Sequence, residues 1–347
     1  MTALAALVGL LCGGASALFL VLLDLVTMTR GDYSWLVFLL PLGGLLTGLV
    51  YERWGAPISR GTSGILDAVT SGGPPVPLRM APMVLFGTLV THLFGGSAGR
   101  EGTAVQMGGS LADQLTHRVG VTDPDLRRSA LAAGIAGGFG AVFGTPIAGV
   151  VFALELTDRA PRNLWPCLVA ATLGDLTTRS LGVGHSIFPP VESVPLDLSL
   201  LLRSALFAVA VALTAITFIE LTQRTKNRLI SLVPRLPLRM ALGGLVIVGL
   251  TLLVGSDAYL GLGVPVIEAS FTSEVPPESF ALKLLFTSLT LSFGFLGGEV
   301  TPLFFIGATL GNLLASPLGL PLPLAAGVGM AAVFGAASNA PFALSIM

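Results

Sequence analysis

Charge is scarce in this chain: Asp, Glu, Lys and Arg make up 11% of 347 residues, where a soluble globular domain carries about 25%. The formal net charge is -1, so overall charge points neither to nucleic acid nor to an acidic partner. Cysteine is almost absent, with Cys12 and Cys167 each inside an apolar run. That excludes a disulfide framework and a cysteine metal site. Histidine occurs three times, as His92, His117 and His185, which leaves no histidine cluster for a metal. Nothing in the sequence calls for a cofactor. The alternation of a transmembrane barrel strand is missing as well.

What is abundant is apolar surface. Hydrophobic residues are 53% of the chain and mean hydropathy is +0.87. The class is therefore an all-α, polytopic membrane protein whose first partner is the lipid bilayer. Apolar segments fall near 3–28, 35–51, 81–98, 101–115, 129–157, 163–175, 200–221, 238–255, 280–296, 302–317 and 322–347. Several are shorter than the ~20 residues a span needs, and Gly or Pro interrupts several more. This predicts tilted and broken helices. The first run lacks a basic flank and is too long for a signal peptide, so it is read as a retained helix.

Loop charge predicts an orientation. "ERWGAPISR" (52–60) holds two Arg, and "RTKNRLISLVPRLPLR" (224–239) holds five basic residues and no acid. Both are placed in the cytoplasm by the positive-inside rule. The segments 189–199 and 256–279 lack Lys and Arg and are placed outside.

Glycine is the second abundance, 44 residues, roughly 13% against about 7% in an average protein. Small residues let membrane helices approach closely, and Gly breaks helices where backbone must face a cavity. The breaks recur. "GREGTAVQMG" (99–108) resembles "GGEVTPLFFIG" (297–307), aligning Glu101 with Glu299. "AAGIAGGFGAVFGTPIAG" (132–149) resembles "AAGVGMAAVFGAASNAPFA" (325–343). The spacing is similar, 42 residues from Glu101 to Phe143 and 35 from Glu299 to Phe334. The chain thus divides into two expected half-repeats, 1–195 and 196–347, joined through the acidic loop. Membrane repeats are commonly inverted, with a site near the midplane where they meet. In the first copy Pro146 is followed by a long apolar helix; in the second, Pro341 is followed by only six residues. One or more terminal helices are expected to be missing.

The chemistry concentrates at Gly-preceded helix starts. Such a start carries unpaired N–H groups and partial positive charge, which suits an anion. Glu101 stands at one of them, where an ionised carboxylate is expensive and is a functional hypothesis by default. The alternatives are a titratable gate that occupies the anion site itself and a plain ion pair with Arg100 or a neighbouring helix. In "GTSGIL" (61–66), Thr62 and Ser63 either donate to an anion or cap a helix beginning at Ile65. In "GGEVTP" (297–302), Thr301 offers a hydroxyl and Pro302 suits a first helical turn. Glu299 is expected to face an aqueous vestibule, Glu155 to be a solvated interface residue, and His92 to be a hydrogen-bonded core histidine.

These motifs resemble those of the CLC chloride channels and anion/proton exchangers. "GREGT" at Gly99–Thr103 is similar to that family's GREGP, "GTSGI" at Gly61–Ile65 to its GSGIP, and "GGEVTPLFFIGATLG" at Gly297–Gly311 to its GxFxP element and the helix after it. "FGTPIAGVVFALE" at Phe143–Glu155 resembles the helix leading to the family's internal glutamate. The resemblance implies an inverted repeat, a homodimer with one pore per subunit, and Glu101 as gating and proton-carrying glutamate. It also implies an anion held by the backbone near Gly102, Glu299 and Val300, with help from Thr62, Ser63 and Thr301. Val300 in place of the pore phenylalanine, with Thr301 after it, resembles the bacterial fluoride-exporting branch, which exchanges fluoride for protons across the inner membrane. Ser63 points the other way, to chloride exchange or conduction. Leu156 stands where many chloride exchangers carry a proton-passing glutamate, and the family's pore tyrosine would lie beyond Met347. A reading from another class is a rhomboid-type intramembrane protease, with Ser63 of "GTSG" as nucleophile and His92 as its base.

Overall fold

The computed structural model describes residues 1–58, 60–157, 160–185, 188–191 and 194–346. Fifteen α-helices form within these: α1 Thr2–Asp32, α2 Leu40–Trp54, α3 Gly61–Thr70, α4 Met80–Leu93, α5 Glu101–Arg118, α6 Pro124–Phe143, α7 Pro146–Leu156, α8 Leu164–Ser180, α9 Leu198–Leu232, α10 Leu236–Val254, α11 Val264–Thr272, α12 Ser279–Ser292, α13 Val300–Leu318, α14 Leu322–Ser338 and α15 Pro341–Ile346. The protein is all-α and multi-pass. Three of the long apolar helices are α1, α9 and α10; α13 is a fourth, and α2 with the 3-10 turn Ser34–Leu39 before it makes the fifth able to cross a bilayer by length and composition. α4, α7, α12 and α14 are apolar but shorter. The 31 residues of α1 would extend roughly 46 Å, well beyond the ~30 Å of hydrocarbon, so the helix must tilt or protrude.

Local chemistry sets the breaks. The apolar stretch 129–157, continuous in the sequence, becomes two helices because Gly144 turns left-handed (φ 72°) and Pro146 opens α7. Residues 224–232, read from the sequence as loop, form the last turns of α9. α3 begins at Gly61, not at Ile65, so Thr62 and Ser63 lie inside its first turn instead of capping it from outside.

The second half of the chain repeats the first in element order and reverses it in space. Pro41, at the start of α2, packs on Gly244, midway along α10; Pro237, at the start of α10, packs on Gly48, midway along α2. Both pairs relate through the same offset, 237 - 41 = 196 and 244 - 48 = 196. A contact that is reciprocal in this way is the mark of a twofold, and the start-to-middle pattern makes the two helices antiparallel. The helix pairs that follow carry the same signature. α5 crosses α6 where Gly108 meets Gly134, and α13 crosses α14 where Gly307 meets Gly329, backbone on backbone. Only a residue without a side chain allows helices this close in lipid.

The antiparallel α2–α10 pair also places the loops. The end of α2 lies beside the start of α10, so the basic segments 52–60 and 232–239 share one face of the protein. At the opposite end Arg30 pairs with Asp257 at 3.5 Å, which puts the acidic loop after α10 on the other face. Tyr33 and Trp35 are exposed near one end of this layer and Trp54 at the other, where amphipathic rings favour the membrane interface.

Candidate functional site

The loop 94–100 ends α4 and leads into α5; the loop 293–299 ends α12 and leads into α13. Each begins with an aromatic residue followed by a left-handed glycine, Phe94–Gly95 (φ 82°) and Phe293–Gly294 (φ 100°). The two loops then meet. Gly99 N donates to Gly298 O at 2.6 Å and Gly298 N to Gly99 O at 2.7 Å, an antiparallel bridge between the two halves. Counting forward from this pair, Arg100 corresponds to Glu299 and Glu101 to Val300. The sequence alignment of Glu101 with Glu299 is therefore one residue out of register.

Glu101 is 1% exposed. Its carboxylate reaches across the bridge to the start of α13, where Oε2 accepts from Thr301 N at 3.3 Å and Oε1 from the Thr301 hydroxyl. Oε2 also accepts from Arg100 N at 3.0 Å. Arg100 Nε stands 3.8 Å from Oε1, so the ion pair considered from the sequence exists, but looser than these bonds. Gly99 and Gly298 provide the room. A Cβ on Gly99 would come within 2.7 Å of Oε2, and one on Gly298 within 3.2 Å. The Glu101 carboxyl group is thus seated on the donors of a helix N-terminus, an environment that suits an anion.

The other candidate residues distribute around this point. Gly102 follows Glu101, and its amide faces the Gly298 backbone so closely that a Cβ on Gly298 would lie 2.7 Å from it. Val300 is buried beside Thr301. Glu299, between the bridge residue Gly298 and the buried Val300, is exposed. Thr62 joins the site through Gln106, whose amide donates to its hydroxyl at 3.3 Å from one turn beyond Glu101. Ser63 is exposed in the first turn of α3. Arg100 and Thr301 both border a cavity of about 1360 Å³ that Phe143, Thr145 and Phe304 also line. Thr103, where the motif resembles one ending in Pro, bonds Thr88 at 2.6 Å and ties α5 to α4.

Two residues differ from the sequence reading or complete it. Glu155, expected as a solvated interface residue, is half-buried and is also a cap. Its two oxygens accept from Phe342 N at 3.1 Å and Ala343 N at 2.8 Å, closing the start of α15 across the two halves. His92 is buried with Nδ1 2.8 Å from Thr88 O and Nε2 3.1 Å from Ala98 O, so both ring nitrogens face backbone carbonyls. A third feature, marked by no motif, is the fully buried Asp113. It accepts from Arg127 Nε at 2.7 Å, Arg127 Nη2 at 2.9 Å and Val76 N at 2.6 Å, fastening the 71–77 loop to α5 and α6.

Broken helices paired about a twofold, with a buried carboxylate where the halves touch, define a polytopic membrane protein of the inverted-repeat class. The chain belongs to the voltage-gated chloride channel family, whose model matches residues 43–347. It is 45% identical to a chloride/fluoride channel protein of Pseudomonas syringae pv. tomato, over 99% of this chain and 78% of that one. It is 26% identical to the H(+)/Cl(-) exchange transporter ClcA of Vibrio vulnificus, over 97% of this chain and 79% of that one. Among solved structures it matches a CLC-type fluoride/proton antiporter with TM-score 0.95 and 34% identity, covering 99% of this chain and 88% of that one.

Proposed function

We propose that the protein exchanges fluoride for protons and exports fluoride across the bacterial inner membrane, with Glu101 as both gate and proton carrier. The observation that carries this is the seat of the Glu101 carboxylate on Thr301 N and the Thr301 hydroxyl. Ionised, it fills the donors an anion would use; protonated, it loses its claim on them and frees the site while carrying one proton. Gly102, Val300 and the N–H groups beside Glu299 complete the backbone cradle, and Thr62 and Ser63 at the start of α3 receive the anion on its way. The substrate assignment is supported by the likeness to a chloride/fluoride channel protein and to a fluoride/proton antiporter. It is supported as well by Val300 and Thr301, a small wall and an added hydroxyl. Residues 1–195 and 196–347 act as the two half-repeats, and the working unit is a homodimer. The test is flux from liposomes, fluoride against chloride, with proton uptake recorded beside it. Proton uptake driven by a chloride gradient and not by a fluoride gradient would overturn the assignment.

The second reading is chloride exchange, favoured by Ser63 at the start of α3 and by the likeness to ClcA. A serine protease of the rhomboid type is disfavoured by His92, whose ring nitrogens both face carbonyls and offer no base to Ser63. The protein is proposed to act as a transporter without covalent chemistry.

A further inference from the structure

Lys283, near the start of α12, is fully buried. Its ammonium donates to Gly261 O at 2.7 Å and Tyr259 O at 3.1 Å and stands 5.2 Å from the centroid of the Phe305 ring. No carboxylate among the described residues lies within ion-pair distance of it. A lysine is rarely buried without such a partner, and packing alone does not account for a charge here.

Its neighbours on the helix give the reason. Lys283, Thr287 and Thr290 are spaced i, i+4, i+7 and so share one face. Thr287 Oγ1 lies 2.9 Å from Ser97 Oγ, and Thr290 Oγ1 accepts from Ser97 N at 3.2 Å. Ser97 belongs to the loop that delivers Gly99 and Glu101. Lys283 reaches the same loop by one step: the 255–263 loop that it grips donates Gly261 N to Gly96 O at 3.2 Å. The single face therefore holds the 94–100 loop at two consecutive residues, directly at Ser97 and through Gly261 at Gly96. Two charge-assisted bonds hold the indirect tie, while two hydroxyls hold the direct one.

We infer that the α12 face Lys283–Thr287–Thr290 positions the gate loop, with Lys283 as the residue that anchors the 255–263 loop against it. The role in coupling rests on Glu101 being the gate. With the loop fixed, the carboxylate has one place to return to after each proton transfer. With the loop free, anions pass while the carboxylate is astray, and fewer protons move per anion.

Hydrogen–deuterium exchange and liposome flux on the full chain test this together. Lys283→Met should raise exchange in the peptides spanning 95–101 and 257–263 about tenfold or more, the scale of one lost charge-assisted bond, with the α5–α6 crossing unchanged. Protons moved per anion should fall in parallel, and Lys283→Arg should restore both. If Lys283→Met does not fold, Ser97→Ala combined with Thr290→Val removes both direct ties and must loosen the 95–101 peptide instead. Unchanged exchange at 95–101 in a folded Lys283→Met protein overturns the inference, as does loosening spread evenly over the molecule. Glu101→Gln separates the two readings. If that variant still moves protons, the gate assignment fails, and the exchange data alone then judge the positioning role.

Discussion

Gly99 and Gly298 hydrogen-bond each other in both directions, at 2.6 and 2.7 Å, and each is the other's counterpart in the repeat. The twofold relating the halves therefore passes between two residues that have no side chain. Everything placed next to that point is placed by backbone, and the second residue after it, Glu101 in one half and Val300 in the other, is where a carboxylate faces an apolar counterpart.

Glu101→Gln keeps the size of the side chain and removes its charge. The amide cannot release a proton, so anion flux should continue or rise while proton movement driven by the anion gradient is abolished. Paired recordings of internal pH and anion release from the same liposomes give the answer. Persisting proton uptake against a fluoride gradient would show that another group carries the proton.

Thr301→Val keeps the shape of the side chain and deletes one donor to the carboxylate or to the anion that replaces it. A hydrogen bond to a charged partner contributes roughly 1.5–3 kcal/mol, which is about ten- to a hundredfold in binding. Fluoride, small and strongly hydrated, should lose more than chloride. Competitive flux or calorimetric titration of the two ions measures the difference, and an equal loss for both would leave Thr301 as a helix-start residue without a part in selectivity.

Gly298→Ala adds a methyl that would lie 2.7 Å from Gly102 N and 3.2 Å from Glu101 Oε2. The carboxylate can swing aside, but Gly102 N is main chain and cannot, so the backbone bridge must open. Overpacking of this kind costs about 1–3 kcal/mol. The variant should melt earlier in detergent and should also lose anion selectivity. Gly327→Ala, at a site whose nearest neighbour would be 3.3 Å away, is the control and should change both far less.

Arg127→Met leaves Asp113 buried with one backbone donor and no cation. Removing one member of a buried pair costs roughly 3–5 kcal/mol, visible as a large drop in the thermal midpoint. Asp113→Leu combined with Arg127→Met should recover part of it, because no unpaired charge remains. A double variant as unstable as the sum of the two singles would mean that the pair has no coupling of its own.

Cys12 and Cys167 are buried, so an impermeant thiol reagent should leave the unaltered protein unlabelled. Cysteine at Arg60 and cysteine at Arg235 should label from one side of sealed vesicles, and cysteine at Asp32 and at Asp257 from the other. Labelling of positions 60 and 235 from opposite sides would contradict the antiparallel pairing of α2 and α10.

Much of this was legible in the sequence because it is local. Glycine-flanked helix starts and their recurrence in the second half depend on residues close together in the chain. The register between the halves was not legible. Glu101 and Glu299 each stand two residues before a threonine, and that shared pattern outweighed the glycine spacing, which alone aligns Gly99 with Gly298. The partners of Lys283, Glu155 and Asp113 were out of reach for a different reason. Each bonds to main-chain atoms of a distant segment, and a backbone amide or carbonyl has no letter in the sequence to announce it. The buried Lys283 and Asp113 were visible only as isolated polar residues in the sequence.

The close helix crossings at Gly108–Gly134 and Gly307–Gly329 have a mechanical consequence. Backbones that touch cannot slide past one another without climbing over their own carbonyls, so each half behaves as a welded block. Between the blocks, Pro41 on Gly244 and Pro237 on Gly48 meet as closely, which leaves little room for one half to rock on the other. With Glu101 as the proposed gate, exchange in such a frame would fall to one carboxylate, and its speed should depend on that swing more than on the viscosity or thickness of the surrounding lipid.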